Sequence, residues 1–352
     1  MAEIRLENVS KRYGDIVALD DVTLTIEDGA FTSIFGPPSS GKSVLLRVLL
    51  GLEPVDAGRI LIDGREVTAA APDARGLSMV FQNLALFPHL SARENIIFPL
   101  RRRAVETAEI DRRLAQVVGV LNIGHILHKP PAALSGGERQ RVAIGRALIR
   151  DAGAYLMDEP LAALDARLRD AMRVELKRLQ SELGRTFVYV THDCEEAMSV
   201  ADRMAILEAG RIAQIDQPDA VYVRPASQYV AELVGAPGIN LLDGERDGQG
   251  VRCAMGRIAA APGTGAARIA LRPEALRLQS ADAPGLRGTV SDIERLGAFS
   301  IVTVAGEGVA LRALADGDAP HRLGDAVSLA VDPAGLHLFD PASGARLGED
   351  AA

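Results

Sequence analysis

The sequence predicts an α/β fold with a largely parallel, doubly wound sheet, followed by a small antiparallel β domain. Three observations carry that expectation. A short apolar run, "FTSIF", leads through the loop "GPPSSGKS" directly into residues with helical apolar spacing. Two further apolar runs, "AYLMD" and "TFVYVTH", flank a long amphipathic stretch at 166–183, and strands alternating with helices imply parallel pairing. Composition then shifts near residues 235–242 toward Gly, Ala and Pro with short alternating runs.

In chain order, residues 3–9 and 21–27 alternate apolar and polar, the period of half-buried strands. After the Gly36 loop, Val44, Leu45, Val48, Leu49 and Leu52 fall on one helical face. From about 88 to 150 the pattern is mostly helical with charged faces, as in "ETAEIDRRLAQVVGVL". "RMAILEAGRIAQID" reads as a hairpin turning at Ala209-Gly210. Beyond the boundary, "ARIALRP", "LRGTVSDIE", "FSIVTVAG" and "AVSLAVD" are short strands of a β domain or barrel. The last residues, "GARLGEDAA", are expected to fray.

At 352 residues the chain suits two domains, divided as 1–235 and 236–352. Its net charge of −8 argues against a nucleic-acid partner. Cys194 and Cys253 form no spacing pattern, which suits a reducing compartment. The N-terminus lacks a signal-peptide core, and no apolar run reaches the ~20 residues of a membrane helix. The expectation is a soluble chain, with any membrane span supplied by another polypeptide.

Gly36-Pro37-Pro38-Ser39-Ser40-Gly41-Lys42-Ser43 fits the phosphate-loop pattern G-x-x-x-x-G-K-[ST]. In such a loop backbone N–H groups and a helix N-terminus face phosphate oxygens, Lys42 reaches the terminal phosphates, and Ser43 ligates Mg²⁺. A Gly-Pro turn before a helix is the plainer alternative. "AYLMDEP" ends a strand in Asp158-Glu159, the edge where such sheets bind ligands. There Asp158 suits Mg²⁺ and Glu159 suits a water-polarising base. "LSGGERQRVAIGRAL" offers a second anion cradle, with Ser135, Gly136 and Gly137 opening a helix that continues through Glu138.

That last stretch resembles the signature of the ATP-binding-cassette family, with Glu138 at a position where the family tolerates glutamate. The resemblance implies roles for further residues in family order. Tyr13 corresponds to the aromatic that stacks on adenine, and Gln82 to the loop glutamine that approaches Mg²⁺ and reports nucleotide state. Asp165, closing "LAALD", corresponds to the subunit-crossing loop, and His192 to the switch histidine at the γ-phosphate. Val44 follows the loop where the family commonly has Thr; Ser39 replaces a common Gly, and Ala162 a common Ser or Asn. Taken singly, each favours a plainer reading: Tyr13 as a half-buried surface aromatic, Gln82 as a loop residue, Asp165 as a helix cap and His192 as a core histidine; it is their order along the chain that carries the resemblance.

The implied fold is a P-loop NTPase cassette with a helical subdomain at about 88–150, then a small β-rich oligomer-binding-fold (TOBE-like) domain. "RPE" at Arg272-Pro273-Glu274 and the linker "PDAVYVRPASQYVAELVGAPGINLL" resemble importer ATPases of the carbohydrate group, of the maltose and glycerol 3-phosphate type. Arg272 and Glu274 are equally readable as a surface ion pair. The resemblance implies ATP hydrolysis with Mg²⁺ between two cassettes, identical or related. Two transmembrane permease subunits and an extracytoplasmic solute-binding protein would complete the complex, placing this chain peripherally on the cytoplasmic face of the inner membrane. A polyamine or metal-oxyanion importer and a non-transport ATP sensor are the alternatives.

Overall fold

The computed structural model describes residues 2–162, 164–260 and 263–347. It divides into two compact units, Met1–Pro218 and Asp219–Ala352. In the first unit, β1 (Ile4–Tyr13), β2 (Ile16–Ile26), β4 (Ala57–Ile62) and β5 (Arg65–Glu66) form an antiparallel sheet in the order β2-β1-β4-β5. A six-stranded sheet runs β10-β9-β3-β8-β7-β6. Its members are β3 (Phe31–Phe35), β6 (Leu77–Val80), β7 (Ala154–Asp158), β8 (Thr186–Thr191), β9 (Arg203–Glu208) and β10 (Arg211–Asp216). The pairs β3–β8, β3–β9, β7–β8 and β6–β7 are parallel, and β9–β10 is antiparallel.

The central strands are mostly apolar because each is buried on both faces. In β8, Phe187 and Tyr189 enter one core while Val188 and Val190 enter the other. β7 alternates in the same way, with Tyr155 and Met157 opposite Leu156. One core is covered by α1 (Lys42–Leu50) and the antiparallel sheet. The other is covered by α2 (Ala92–Arg102), α3 (Thr107–Leu121), α4 (Gly136–Leu148) and α5 (Ala166–Leu183). The short α6 (Cys194–Val200) follows β8.

The expected parallel core and the hairpin at Ala209-Gly210 are present, both turn residues having positive φ. Three local expectations are corrected. The strands read at 3–9 and 21–27 are longer, Ile4–Tyr13 and Ile16–Ile26, and pair in the antiparallel sheet. Helix α1 stops at Leu50, because Gly51 turns left-handed at φ 80 and its N–H closes on the last turn, so Leu52 is exposed. Of the tail expected to fray, Ala345 and Arg346 bridge to Ser227 and Phe339, while 348–352 lie outside the described residues.

The second unit opens with α7 (Pro218–Val223) and α8 (Gln228–Leu233). Two five-stranded antiparallel sheets follow. One, ordered β13-β12-β11-β14-β20, contains β11 (Asn240–Asp247), β12 (Val251–Cys253), β13 (Gly256–Ile258), β14 (Thr264–Leu271) and β20 (Leu336–Phe339). The other, ordered β15-β19-β16-β17-β18, contains β15 (Leu276–Ser280), β16 (Leu286–Arg295), β17 (Phe299–Gly306), β18 (Val309–Asp316) and β19 (Ala326–Val331). Both contribute to one core, where Ile269 and Leu242 meet Leu286, Val302 and Leu329.

The units therefore part at 218/219 and not near 235, and Arg272 supplies the reason. Its side chain is fully buried and donates to the carbonyls of Tyr222, Ala231 and Val234. Its guanidinium also lies over the Tyr222 ring, 4.0 Å from the centroid. Segment 219–235 is thus part of the β unit, and Arg272 is no surface ion pair; Glu274 instead accepts from the Tyr222 hydroxyl. Arg272→Met leaves three carbonyls without this donor, at a cost of about 3 kcal/mol. Hydrogen exchange on the full chain is expected to quicken across 219–347 and stay unchanged in β3.

Candidate nucleotide site

The Gly36 loop joins the end of β3 to α1, so the chain leaves a buried strand and must turn tightly. Two glycines make the turn possible. A Cβ on Gly36 would stand 2.6 Å from the Leu207 carbonyl oxygen, and one on Gly41 2.4 Å from that of Ala18. Gly41 is also left-handed, at φ 106. Ser39, where a glycine was the more comfortable expectation, takes φ 66 and carries the strain of a left-handed L-residue. Pro38 and Ser39 form the exposed tip, with Pro37 half-buried beneath it.

Helices α2, α4, α5 and α6 are capped by the side chains of Ser91, Ser135, Asp165 and Asp193. Gly41 gives α1 no such cap, so its first-turn donors are left for a ligand. Ser40 Oγ is buried without a hydrogen-bond partner among the described residues. Lys42 is buried and folds over the loop, its Nζ donating to Gly36 O and Pro37 O at 2.7 Å each. Burial lowers its pKa, opposed by the charges of Glu159 and Asp158. Uncapped donors, an orphaned hydroxyl and a desolvated ammonium fit a polyphosphate. Val44 is half-buried against the core below.

Asp158 ends β7 and accepts from Ser43 Oγ at 3.2 Å. This hydroxyl–carboxylate pair fits an Mg²⁺ ion, whose ligands are oxygens. Burial raises the Asp158 pKa; the Ser43 hydrogen bond opposes this and the neighbouring Glu159 charge adds to it. Glu159 adopts φ 45, a left-handed backbone costly for glutamate. Its Oε2 accepts from Gln82 Nε2 at 3.0 Å, and its Oε1 lies 3.0 Å from His192 Nδ1. Three residues separated widely in sequence thus meet at one carboxylate. His192 is exposed here and is not a core histidine.

Tyr13 is exposed at the end of β1, with Lys11 Nζ 5.4 Å from its ring centroid. Ser135 opens α4 through a reciprocal capping box with Glu138: Ser135 Oγ accepts from Glu138 N, and Glu138 Oε2 accepts from Ser135 N at 2.7 Å. These bonds lower the Glu138 pKa. Ser91 in the other capping box also donates its hydroxyl to Glu94. Gly136 and Gly137 form the first turn, and a Cβ on Gly137 would strike the Leu168 side chain at 2.3 Å. Asp165 caps α5 by accepting from Leu168 N.

Sequence reasoning missed Arg146, on α4. It donates to Ala85 O at 2.7 Å and Leu84 O at 2.6 Å, and both of those residues have positive φ. Burial lowers its pKa. The signature helix is thereby fastened to the loop that carries Gln82. A lone arginine within the apolar run "VAIGRAL" was the available signal. Arg169 and Glu196 were also missed.

An uncapped phosphate loop, an acidic strand end and a glutamate held by glutamine and histidine define a nucleotide-hydrolysing cassette. Residues 19–162 match the ABC transporter family and 269–339 the TOBE domain. The chain is 44% identical to sn-glycerol-3-phosphate import ATP-binding protein UgpC 1 of Rhizobium johnstonii, over 96% of this chain and 94% of that protein. It is 43% identical to UgpC of Cereibacter sphaeroides, over 99% and 100%. Among solved structures it is similar to the dimeric ATP-binding cassette MJ0796 in a post-hydrolysis state with ADP and Pi (TM-score 0.56, 33% identity, 61% of this chain and 98% of that one). The chain belongs to the ATP-binding-cassette transporter family, as an ATP-binding, ATP-hydrolysing import subunit with a C-terminal TOBE domain.

Asp158 yields a test on the nucleotide-free protein. A raised folded-state pKa means that its stabilising contribution is full below the ordinary value of 3.8 and is lost as pH rises through the shifted value. At neutral pH the buried carboxylate is therefore a burden. Asp158→Asn is expected to raise the thermal unfolding temperature at pH 7, with the gain shrinking as pH falls toward 3.8.

Proposed function

We propose that this subunit drives uptake of a small phosphorylated polyol or carbohydrate, with sn-glycerol 3-phosphate the first candidate. The observation that carries this reading is the likeness to the UgpC proteins, which extends through both units. In this reading Tyr13 stacks on adenine. Gly36, Pro37, Pro38, Ser39, Ser40, Gly41 and Val44 shape the phosphate cradle, and Lys42 exchanges its two carbonyl partners for phosphate oxygens. Ser43, Asp158 and Gln82 hold Mg²⁺. When bound, the ion offsets the charge on the β- and γ-phosphates. Glu159 takes a proton from the attacking water while His192 orients Glu159 and meets the γ-phosphate.

A second cassette, identical or related, completes the site. Its Ser135 hydroxyl, with Gly136 and Gly137, donates to the terminal phosphate, and Glu138 steadies that turn. Asp165 approaches from the same side. Loss of the shared phosphate on hydrolysis lets the two cassettes separate. A cavity of about 550 Å³ beside the Gln82 loop, lined by Met79, Phe81, Phe87, Phe98 and Pro99, supports docking of a permease helix. No helix among the described residues is long and apolar enough to cross a membrane. Two permease subunits would then hold the chain on the cytoplasmic face of the inner membrane, with an extracytoplasmic solute-binding protein delivering the cargo.

Glu159→Gln is expected to cut turnover by about a hundredfold or more while giving a dimer on gel filtration with ATP and Mg²⁺. A variant that stays monomeric at saturating ATP contradicts the shared site. For the cargo, the solute-binding protein copurified with the complex is screened by thermal shift. Stabilisation by glycerol phosphates or sugars is expected. A response to polyamines or oxyanions alone would remove the substrate assignment.

A further inference from the structure

Behind Glu159 and His192 lies a polar cluster that the proposed mechanism leaves unused. Arg169 stands one turn into α5, just past the Asp165 cap. Its Nη2 donates to Leu164 O at 3.1 Å, in the crossing loop. Its Nη1 lies 3.6 Å from Asp193 Oδ2, on the residue that follows His192. Its Nε lies 3.5 Å from Glu196 Oε1 on α6.

Glu196 is a buried carboxylate. Its Oε2 accepts from Tyr189 Oη and Thr191 Oγ1 at 2.8 Å each, and its N–H donates to Asp193 Oδ1 at 3.0 Å. The Asp193 N–H in turn donates to Thr191 Oγ1 at 3.0 Å. The backbone on both sides of His192 is therefore fixed by groups that converge on Glu196. Arg169 ties that assembly to the crossing loop. Arg169, Glu159, Ala162 and His192 border one small, partly open cavity of about 50 Å³, room for about one water of ~30 Å³.

We propose that Arg169 is a positioning residue that couples the crossing loop to the switch-histidine loop. Seating of the crossing loop against a second cassette moves Leu164, and through the arginine fork it sets Asp193, Glu196 and hence His192 against Glu159. The inference rests on the hydrolytic roles given above to Glu159, His192 and Asp165. An arginine suits the task because one planar group donates a hydrogen bond from Nη2 to Leu164 O and holds Nη1 and Nε at ion-pair distance from Asp193 and Glu196, a spread that a lysine ammonium on a flexible stem does not provide. Arg169 is not part of the Gly36 loop or of the Ser43–Asp158 pair, so in this proposal its removal acts on turnover and leaves nucleotide capture intact.

The test uses the full chain and reads four quantities: ATP affinity at protein concentrations that keep it monomeric, steady-state kcat, melting temperature, and ATP-driven dimerisation in a Glu159→Gln background. Arg169→Met is expected to leave ATP affinity within about twofold and to lower kcat roughly tenfold or more. It should also weaken dimerisation. Arg169→Lys should fall between Met and wild type. The double variant Arg169→Met/Glu196→Gln should lose clearly less than the sum of the single variants, since both act on the one loop that carries His192.

Wild-type kcat in Arg169→Met, or losses that add in the double variant, would overturn the proposal. So would a parallel fall of affinity, kcat and melting temperature, which marks a merely structural tie. If Arg169→Met does not fold, Arg169→Lys decides: unchanged kcat refutes the coupling. Glu159→Gln alone separates the two levels. Hydrolysis surviving in that variant removes the functional reading itself, whereas its loss together with wild-type behaviour of Arg169→Met removes only the coupling.

Discussion

The start of α1 is a set of donors that the protein declines to satisfy by itself. Gly41 offers no side chain, Ser40 Oγ has no partner among the described residues, and Lys42 borrows two carbonyls from its own loop. A helix terminus in this state invites an anion. Two carboxylates, Asp158 and Glu159, stand on the far side, and burial already works against the charge of Asp158. In the proposed reading, phosphate would answer the donors and a divalent cation the acids.

Strain is distributed around the same site. Ser39, Leu84, Ala85 and Glu159 all occupy left-handed backbone that their side chains disfavour. Three of these four are held by identified neighbours: Arg146 grips the carbonyls of Leu84 and Ala85. Glu159 is fixed at its N–H by Val190 O and at its carboxylate by Gln82 and His192. Such arrangements persist only where surrounding contacts over-determine them.

Much of this could be read from the sequence, for a physical reason. Phosphate loops and helix caps are local, so their residues are neighbours in the chain, and "GPPSSGKS" and "LSGG" declare themselves. The buried strands were equally plain, because "AYLMD" and "TFVYVT" have no polar face to hide. What escaped was long-range or mixed in pattern. Strands β4 and β6 went unnoticed because each is short and interrupted by glycine, arginine or serine. Arg146, Arg169 and Arg272 act on carbonyl oxygens far along the chain or across a turn, and carbonyls carry no sequence signature. The domain boundary slipped for the same reason, since Gly-Ala-Pro at 235–237 looks like a linker until Arg272 is seen reaching behind it.

That arginine also decides how the molecule can be taken apart. Severing the chain at 235 would strip the β unit of α7 and α8 and confront a buried guanidinium with solvent where the oxygens of Tyr222, Ala231 and Val234 had been. Cutting at 218 keeps the anchor and its acceptors on one fragment. Any attempt to graft this TOBE unit onto another cassette, or to express it alone, must carry residues 219–235 as part of the cargo.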